Sequence, residues 1–241
     1  MVTFIAHRGD CENYIENTLH SVKAAIEGGV TAIEIDVQLT KDGVPILYHD
    51  RDLKRLLNKS GRVGDYSFSE LSTSRFSEQQ CQRSKNSAES EFITSLAMLV
   101  DYLKKWPEVS LFVEIKRINF GFFSYQKVYQ VLQDVLLPIK SQVIYISFSY
   151  RFIRYCRQRS MMPLGYVLPT WQHVNHKMLA RLRPNYLFSS VDIVPESFVF
   201  DAQDFHWALY EIVDSDMARQ YFDRGVRYLE SFNPVRLKRE F

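Results

Sequence analysis

The chain has 241 residues, of which 46% are hydrophobic, and this length and composition suffice for one sizeable buried core. Its 30 basic and 28 acidic residues leave a formal net charge of +2. This near balance gives no electrostatic field that would favour nucleic acid or a membrane surface as a partner.

The spacing of apolar residues predicts strands and helices in alternation along the chain. Strands are predicted at Val2–Ala6, Val30–Leu39, Val44–Tyr48, Leu111–Ile115, Val143–Ser147, Leu164–Leu168, Tyr186–Ser189, His206–Tyr210 and Val226–Leu229. Helices are predicted at Thr18–Gly28, 96–103, Phe122–Leu137, Phe152–Gln158, Val174–Leu182 and Ser215–Asp223, with a short helix or turn at Pro195–Phe200. Lys41-Asp42-Gly43 is typical of a tight turn.

The segment from Asp52 to Glu91 differs in composition from the rest of the chain. It is rich in Ser, Arg, Gln and Glu and shows little periodicity. Loops of this length in a compact domain usually serve as lids or are disordered. We therefore predict an insertion of loops and short helices, a cap at about residues 52–91.

Eight main strands remain when the short Val44–Tyr48 segment is set aside, and each is followed by helical or loop material. This order is typical of an α/β protein with a (β/α)8 barrel, the TIM barrel. A doubly wound open sheet is the alternative, because periodicity does not distinguish a closed sheet from an open one. We predict a single domain over residues 1–241 with the cap inserted after the second strand.

Cysteine usage and hydropathy bear on location. Cys11, Cys81 and Cys156 are odd in number and widely spaced, so neither a disulfide framework nor a structural zinc site is expected. The first residues lack the basic and apolar regions of a secretory signal, and no apolar run is long enough to cross a membrane. A reducing, cytoplasmic location without stable membrane insertion is therefore predicted.

Residues that can carry chemistry follow the first three strands. His7-Arg8-Gly9, Glu34-x-Asp36 and His49-Asp50 stand at strand ends, where active sites of such barrels form. Two histidines can exchange a proton with a substrate, and the arginine can bind an anion. The set is typical of a metal-dependent phosphoester hydrolase.

The carboxylates of this set point to a metal. Glu34 and Asp36 lie on one face of an otherwise apolar strand, because side chains alternate along a strand. Glu114 and Lys116 share a face of a later strand. Burial of paired carboxylates without a cation is costly, and oxygen ligands favour Mg²⁺ or Ca²⁺ over zinc.

These motifs together resemble those of the glycerophosphodiester phosphodiesterase family. The resemblance covers nearly the whole chain and is strongest in its first 120 residues. The matching segments are Ala6-His7-Arg8-Gly9, Glu16-Asn17-Thr18-Leu19, Ile33 to Gly43, His49-Asp50, Gly61-Arg62-Val63, Thr94-Ser95-Leu96 and Val113-Glu114-Ile115-Lys116. These short motifs in the same order are far more specific than any one of them.

The resemblance implies a TIM-type barrel with a cap and a defined set of roles. Glu34, Asp36 and Glu114 would hold a divalent metal ion, Mg²⁺ or Ca²⁺. His7 and His49 would be the general acid and base, in an order that the sequence leaves open. Arg8 and Lys116 would bind the phosphate. The reaction implied is hydrolysis of a small-molecule glycerophosphodiester, such as glycerophosphocholine or glycerophosphoethanolamine, to glycerol 3-phosphate and an alcohol.

The chain departs from the family pattern near its C-terminal end. The family's Trp-Thr-Val-Asn reads Trp207-Ala208-Leu209-Tyr210, and its Thr-Asp-x-Pro reads Glu230-Ser231-Phe232-Asn233-Pro234. These strands line the glycerol side of the pocket in relatives, so the departures concern substrate preference. Trp207 is either a substrate-binding residue or part of the core.

Two other functions stay open at this point. The same barrel could cleave lysophospholipids or another phosphodiester, or it could bind a phosphodiester without catalysis. The second is disfavoured because every catalytic position of the family pattern is filled. The sequence leaves the oligomeric state undetermined.

Overall fold

A computed structural model describes residues 1–84, 92–200 and 204–241 of the chain. Within these residues, nine strands form one sheet. In chain order they are β1 (Thr3–His7), β2 (Ala32–Leu39), β3 (Pro45–Leu47), β4 (Ser110–Ile115), β5 (Val143–Ser147), β6 (Leu164–Val167), β7 (Tyr186–Ser190), β8 (His206–Tyr210) and β9 (Tyr228–Ser231).

The sheet closes into a barrel of eight parallel strands. Strand β1 pairs with β2 on one side and with β9 on the other, so within the described residues the ring of eight strands has no free edge. The short β3 pairs antiparallel with β2 and stays outside the barrel. The predicted TIM barrel is confirmed, and ring closure excludes the open sheet.

Helices lie between the barrel strands. They are α1 (Leu19–Glu27), α2 (Lys54–Leu57), α3 (Phe68–Ser72), α4 (Glu78–Arg83), α5 (Leu96–Leu103), α6 (Tyr125–Leu136), α7 (Tyr150–Arg157), α8 (His176–Leu182), α9 (Ser215–Asp223) and α10 (Pro234–Glu240). Side chains of Thr18, Ser95 and Ser124 accept hydrogen bonds from backbone N–H groups in the first turns of α1, α5 and α6, which fixes where these helices begin. The described helices are all too short or too polar to cross a lipid bilayer.

Strand side chains alternate between the barrel interior and the surrounding helices. In β1, Phe4 and Ala6 pack under the helices, whereas Ile5 lies inside with Phe112 and Phe188. The two phenylalanine rings meet edge to face with centroids 5.5 Å apart. Side chains therefore fill the barrel, and an open cavity can form only at its mouth.

Residues 52–84 fold as loops and the short helices α2, α3 and α4. They bury their own apolar cluster, which is separate from the barrel core and rests on β3 through Ile46 and Tyr48. Residues 85–91, the end of the predicted insertion, lie outside the described residues. A role for this segment as a cap remains a proposal.

Some predicted boundaries are wrong for local reasons. The helix predicted from Phe122 begins at Tyr125, because Ser124 caps it. Of the two alternatives predicted for Pro195–Phe200 the turn forms, with the Phe198 N–H donating to the Pro195 carbonyl at 3.0 Å, whereas the C-terminal α10 was not predicted. The last strand is β9 at Tyr228–Ser231 instead of Val226–Leu229. This two-residue shift carries Glu230 into the barrel wall.

Gly9 tests how tightly the turn after β1 is packed. Its φ is +88°, and an added Cβ would lie 2.6 Å from the carbonyl carbon of Ser21. Gly43 has a similar φ of +83°, but the atom nearest to a Cβ added there would be 3.8 Å away.

We expect Gly43→Ala to lower the free energy of unfolding by about 1–2 kcal/mol through backbone strain alone. Gly9→Ala should cost about 2–4 kcal/mol because overpacking adds to the strain. Urea unfolding of both variants measures this, and equal losses would contradict tight packing at Gly9.

Candidate active site

The strand register gathers the predicted site residues at the C-terminal mouth of the barrel. His7 is the partner of Glu34 across β1 and β2, and Asp36 is the partner of Glu114 across β2 and β4. Carboxylate oxygens of Glu34, Asp36 and Glu114 lie within 4.8 Å of one another. Three predicted ligands from two strands thus meet at one point.

Two cations border this carboxylate group. Lys116 Nζ lies 3.1 Å from Asp36 Oδ1 and 2.8 Å from Glu114 Oε1. Arg8 Nε lies 3.1 Å from Asp36 Oδ2 as an ion pair without hydrogen-bond geometry. Its Nη1 donates to Glu16 Oε1 at 2.9 Å. Both predicted phosphate-binding residues are therefore held at the edge of the carboxylate cluster.

Local backbone geometry positions Asp36 and Arg8. Asn17, which has a φ of +56°, donates to Asp36 Oδ2 at 2.8 Å and accepts from the Asp36 backbone N–H at 3.0 Å. Arg8 also has a positive φ, +62°, and its backbone N–H donates to Glu34 Oε2 at 3.1 Å. Such backbone conformations are uncommon outside glycine and are retained here by the side-chain bonds they permit.

The carboxylates differ in charge state. Burial opposes ionisation of Asp36, but Lys116 and Arg8 outweigh it and hold the pKa of this carboxyl well below its usual range. Burial, together with the charges of Asp36, Glu230 and Glu114, raises the pKa of Glu34 well above its usual range. Burial also raises the pKa of Glu114.

This donor set fits a hard divalent cation. Three buried carboxylates supply the oxygen ligands that Mg²⁺ and Ca²⁺ prefer. Burial raises the pKa of Glu34 and Glu114, and like charges nearby add to the effect, so a divalent cation bound to these carboxylates would favour their ionised form.

His49 is held at its Nδ1 by a network of charged side chains. Its Nδ1 lies 2.9 Å from Asp50 Oδ1. Arg55 of α2 donates to Asp50 and also to Glu16, at 2.6 Å and 2.7 Å. The side chain of His49 is 34% exposed, so its ring reaches the cavity while its Nδ1 is held.

His7 stands in a more buried setting than His49. Its ring stacks on Phe232 with centroids 4.3 Å apart, and its Nε2 lies 3.3 Å from Glu230 Oε1. Burial and the charge of Arg8 lower the pKa of His7 well below its usual value. The imidazole is therefore neutral at physiological pH.

One cavity of about 200 Å³ joins these groups. Its lining comprises His7, Arg8, Glu34, His49, Glu114 and Lys116, together with Ile146, Phe148, Val167, Phe188, Tyr210, Glu211 and Glu230. Sequence analysis missed Tyr210, Glu211 and Glu230 as site residues. The alternation along β9, in which Glu230 follows the inward-facing Tyr228 by two positions, is the signal that could have found Glu230.

Trp207 does not join the other predicted site residues. It lies on the outer face of β8, where its ring stacks on Trp171 with centroids 5.5 Å apart. Its neighbours Ala208 and Tyr210 face the barrel interior instead, because side chains alternate along the strand. The substrate-binding interpretation of Trp207 is therefore wrong, and the residue belongs to the core beneath the helices.

A sequence profile of the glycerophosphoryl diester phosphodiesterase family matches residues 7–221. The chain belongs to this family. Solved structures with the same fold include a phosphodiesterase from Oleispira antarctica in complex with the product sn-glycerol-3-phosphate, with a TM-score of 0.82 at 22% identity over 98% of this chain and 95% of that one. A glycerophosphodiester phosphodiesterase from Agrobacterium tumefaciens has a TM-score of 0.78 at 20% identity over 98% and 99% of the two chains. At these identities the likeness concerns the fold.

Family relatives with higher identity align over shorter segments. Glycerophosphodiester phosphodiesterase from Caldanaerobacter subterraneus subsp. tengcongensis is 48% identical over 67 residues, 28% of each protein. Glycerophosphodiester phosphodiesterase 1 of Rattus norvegicus is 41% identical over 70 residues, 29% of this chain and 21% of that protein. The aligned part thus spans less than a third of either relative's length.

Charge repulsion at the site predicts a cost in stability when no metal is bound. The pKa of Glu34 is higher in the folded than in the unfolded chain, so the residue destabilises the fold once the pH exceeds the usual glutamate range, about 4 to 5. In EDTA at pH 8, we expect Glu34→Gln to raise the free energy of unfolding by about 1–2 kcal/mol. The gain should vanish near pH 4, where wild-type Glu34 is protonated in both states.

Urea unfolding at the two pH values measures this effect. Glu108→Gln, at an exposed turn, is the matched control and should change nothing at either pH. A less stable Glu34→Gln variant at pH 8 would contradict the repulsion.

Proposed function

We propose that this protein hydrolyses glycerophosphodiesters to glycerol 3-phosphate and an alcohol in a metal-dependent reaction, with His7 and His49 as the acid–base pair. One observation carries the proposal: both histidines, Glu34, Glu114 and two cations line one cavity of about 200 Å³ at the mouth of the barrel, and Asp36 has a carboxylate oxygen within 4.8 Å of those of Glu34 and Glu114. Family membership and the product found in the Oleispira antarctica structure support the same reaction class.

Glu34, Asp36 and Glu114 would hold the divalent ion, Mg²⁺ or Ca²⁺. When bound, the ion would supply Lewis-acid chemistry, lowering the pKa of a hydroxyl and neutralising phosphate charge. Asp36 is the anchor of this set, because its carboxylate is ionised and is fixed by Asn17. Glu34 and Glu114 lie beside it, on the same strand and on the neighbouring strand.

The two histidines, which line the same cavity, transfer protons. One removes the proton of the attacking hydroxyl, and the other protonates the oxygen of the departing alcohol as its bond to phosphorus breaks. The hydroxyl belongs either to the neighbouring glycerol carbon, which would give a cyclic phosphate that water then opens, or to water itself. Asp50 holds His49 and Phe232 supports the ring of His7, so both imidazoles are positioned before substrate arrives.

Arg8 and Lys116 would bind the phosphate oxygens. Burial lowers the pKa of each side chain, but the neighbouring carboxylates raise it by more, so the pKa of each lies above its usual value. Both side chains are therefore positively charged. Both form ion pairs with Asp36, so their side chains need to move little as negative charge develops on the phosphate.

Lysophospholipids would need an apolar surface near the mouth. The apolar cap residues Leu56, Leu57 and Phe76 are instead buried in the cluster that the cap forms with β3. This arrangement favours water-soluble glycerophosphodiesters as substrates.

Loss of either histidine should impair turnover more than binding. We expect His7→Ala and His49→Ala each to lower kcat by about 10²–10⁴-fold with a small change in KM, because general acid–base catalysis acts in the transition state. The exposed His173, replaced by alanine, is the matched control and should retain full activity. Near-normal turnover in either site variant would remove that histidine from the mechanism.

Metal dependence is tested by assaying glycerol 3-phosphate release from glycerophosphocholine and glycerophosphoethanolamine with Mg²⁺, with Ca²⁺ and with EDTA. We expect release with at least one metal and none in EDTA, because Glu34, Asp36 and Glu114 repel one another without a cation. Undiminished release in EDTA would refute the metal site.

A further inference from the structure

A second hollow adjoins the catalytic cavity on the side of the cap. It has a volume of about 520 Å³ and shares His49, Glu114, Lys116 and Phe148 with the cavity. We call it the outer groove; the residues that distinguish it are Arg51, Arg62, Arg117 and Phe122. A phosphodiester bound at the histidines would extend one of its two arms into this groove.

The outer groove carries a surplus of positive charge. Among the described residues, no carboxylate forms an ion pair with Arg51 or Arg117. The third arginine of the groove, Arg62, has its Nε 3.5 Å from Asp65 Oδ2. Glu114, the acidic residue of its lining, is already bound by Lys116 at 2.8 Å. The available charge is therefore that of Arg51 and Arg117, which form no ion pair with a carboxylate of the described residues.

Two of these arginines are supported by aromatic rings. The guanidinium carbon of Arg62 lies 4.8 Å from the ring centroid of Phe122, and that of Arg117 lies 5.9 Å from Phe148. A guanidinium over a ring keeps its N–H groups at the edge, where they can donate to a ligand. Paired N–H donors match the oxygens of a phosphate group better than they match a neutral alcohol.

The catalytic cavity has the opposite polarity on its far wall. Glu211 and Glu230 line it with Tyr210, and Glu230 contacts a histidine but no arginine or lysine within the described residues. Carboxylates accept hydrogen bonds from hydroxyl groups, so this wall suits the two free hydroxyls of glycerol. The polarity thus orients the substrate, with glycerol inward and the alcohol portion in the outer groove.

We infer that the outer groove is the binding site for the alcohol portion and selects an alcohol that carries a second phosphate. This inference rests on the proposed function. It ranks phosphorylated alcohols above choline and ethanolamine, whose ammonium groups would face Arg51 and Arg117. Arg51 and Arg117 are the residues that determine this specificity.

The experiment compares two substrates that differ only in one phosphate, glycerophosphoinositol and glycerophosphoinositol 4-phosphate, with glycerophosphocholine as the cationic reference. We expect kcat/KM to be about 10-fold higher for the phosphorylated substrate at low ionic strength, and the preference to weaken in about 0.5 M salt as charges are screened. Equal kcat/KM values, or a preference for glycerophosphocholine, would overturn the inference while leaving the proposed function in place.

Variants assign the preference to the groove. Arg51→Gln and Arg117→Gln should each reduce the ratio of the two kcat/KM values by about 3-fold or more, and the double variant should bring it near unity. Arg154→Gln, at an exposed position of α7, removes the same charge elsewhere and should leave the ratio unchanged. A ratio that falls equally in all three single variants would mean that net charge, and not the groove, sets the preference.

A binding measurement tests the groove inference independently of the proposed hydrolysis. Calorimetric titration of His7→Ala protein with each inositol compound reports on the groove without turnover. Tighter binding of the phosphorylated compound supports the groove, even if wild-type protein hydrolyses nothing and the proposed function fails. Equal affinities, or no detectable binding of either compound, would overturn the groove inference.

Discussion

The contacts of Asp36 hold the mouth of the barrel together. Its two carboxylate oxygens meet Asn17, Arg8 and Lys116, which come from the loop after β1 and from the end of β4. Without Asp36 the buried amide of Asn17 would lose its acceptor, and Arg8 and Lys116 would each lose one of two carboxylate partners. Loss of a partner is costly for a buried polar or charged group. The same carboxylate joins the predicted metal ligands, so the fold and the site depend on one ionised side chain.

The barrel stabilises a site that is unfavourable in itself. Glu34, Glu114 and Glu230 are buried near Asp36, and each has a raised pKa because burial and like charges oppose its ionisation. Two cations compensate this charge only in part. The packed interior below, with Phe112 and Phe188 at its centre, supplies the apolar burial that keeps these carboxylates in place.

Much of this arrangement was predictable from sequence, because periodicity reports which face a side chain occupies. Alternation along β2 put Glu34 and Asp36 together on one face, and the succession of strands and helices indicated the barrel. Two interpretations of Trp207 stayed open because a motif position does not state on which face of its strand the residue lies. Glu230 was missed because the end of a strand depends on pairing with its neighbour, here β1, and that partner is distant in sequence.

Arg55 connects the predicted cap region to residues that hold the site at the barrel mouth. It sits on a cap helix, yet it binds Glu16, which holds Arg8, and Asp50, which holds His49. A displacement of that helix would break both contacts at once and would remove one support from a predicted phosphate-binding residue and one from His49. The position of α2 and the alignment of the proposed reactive groups are therefore coupled through one guanidinium.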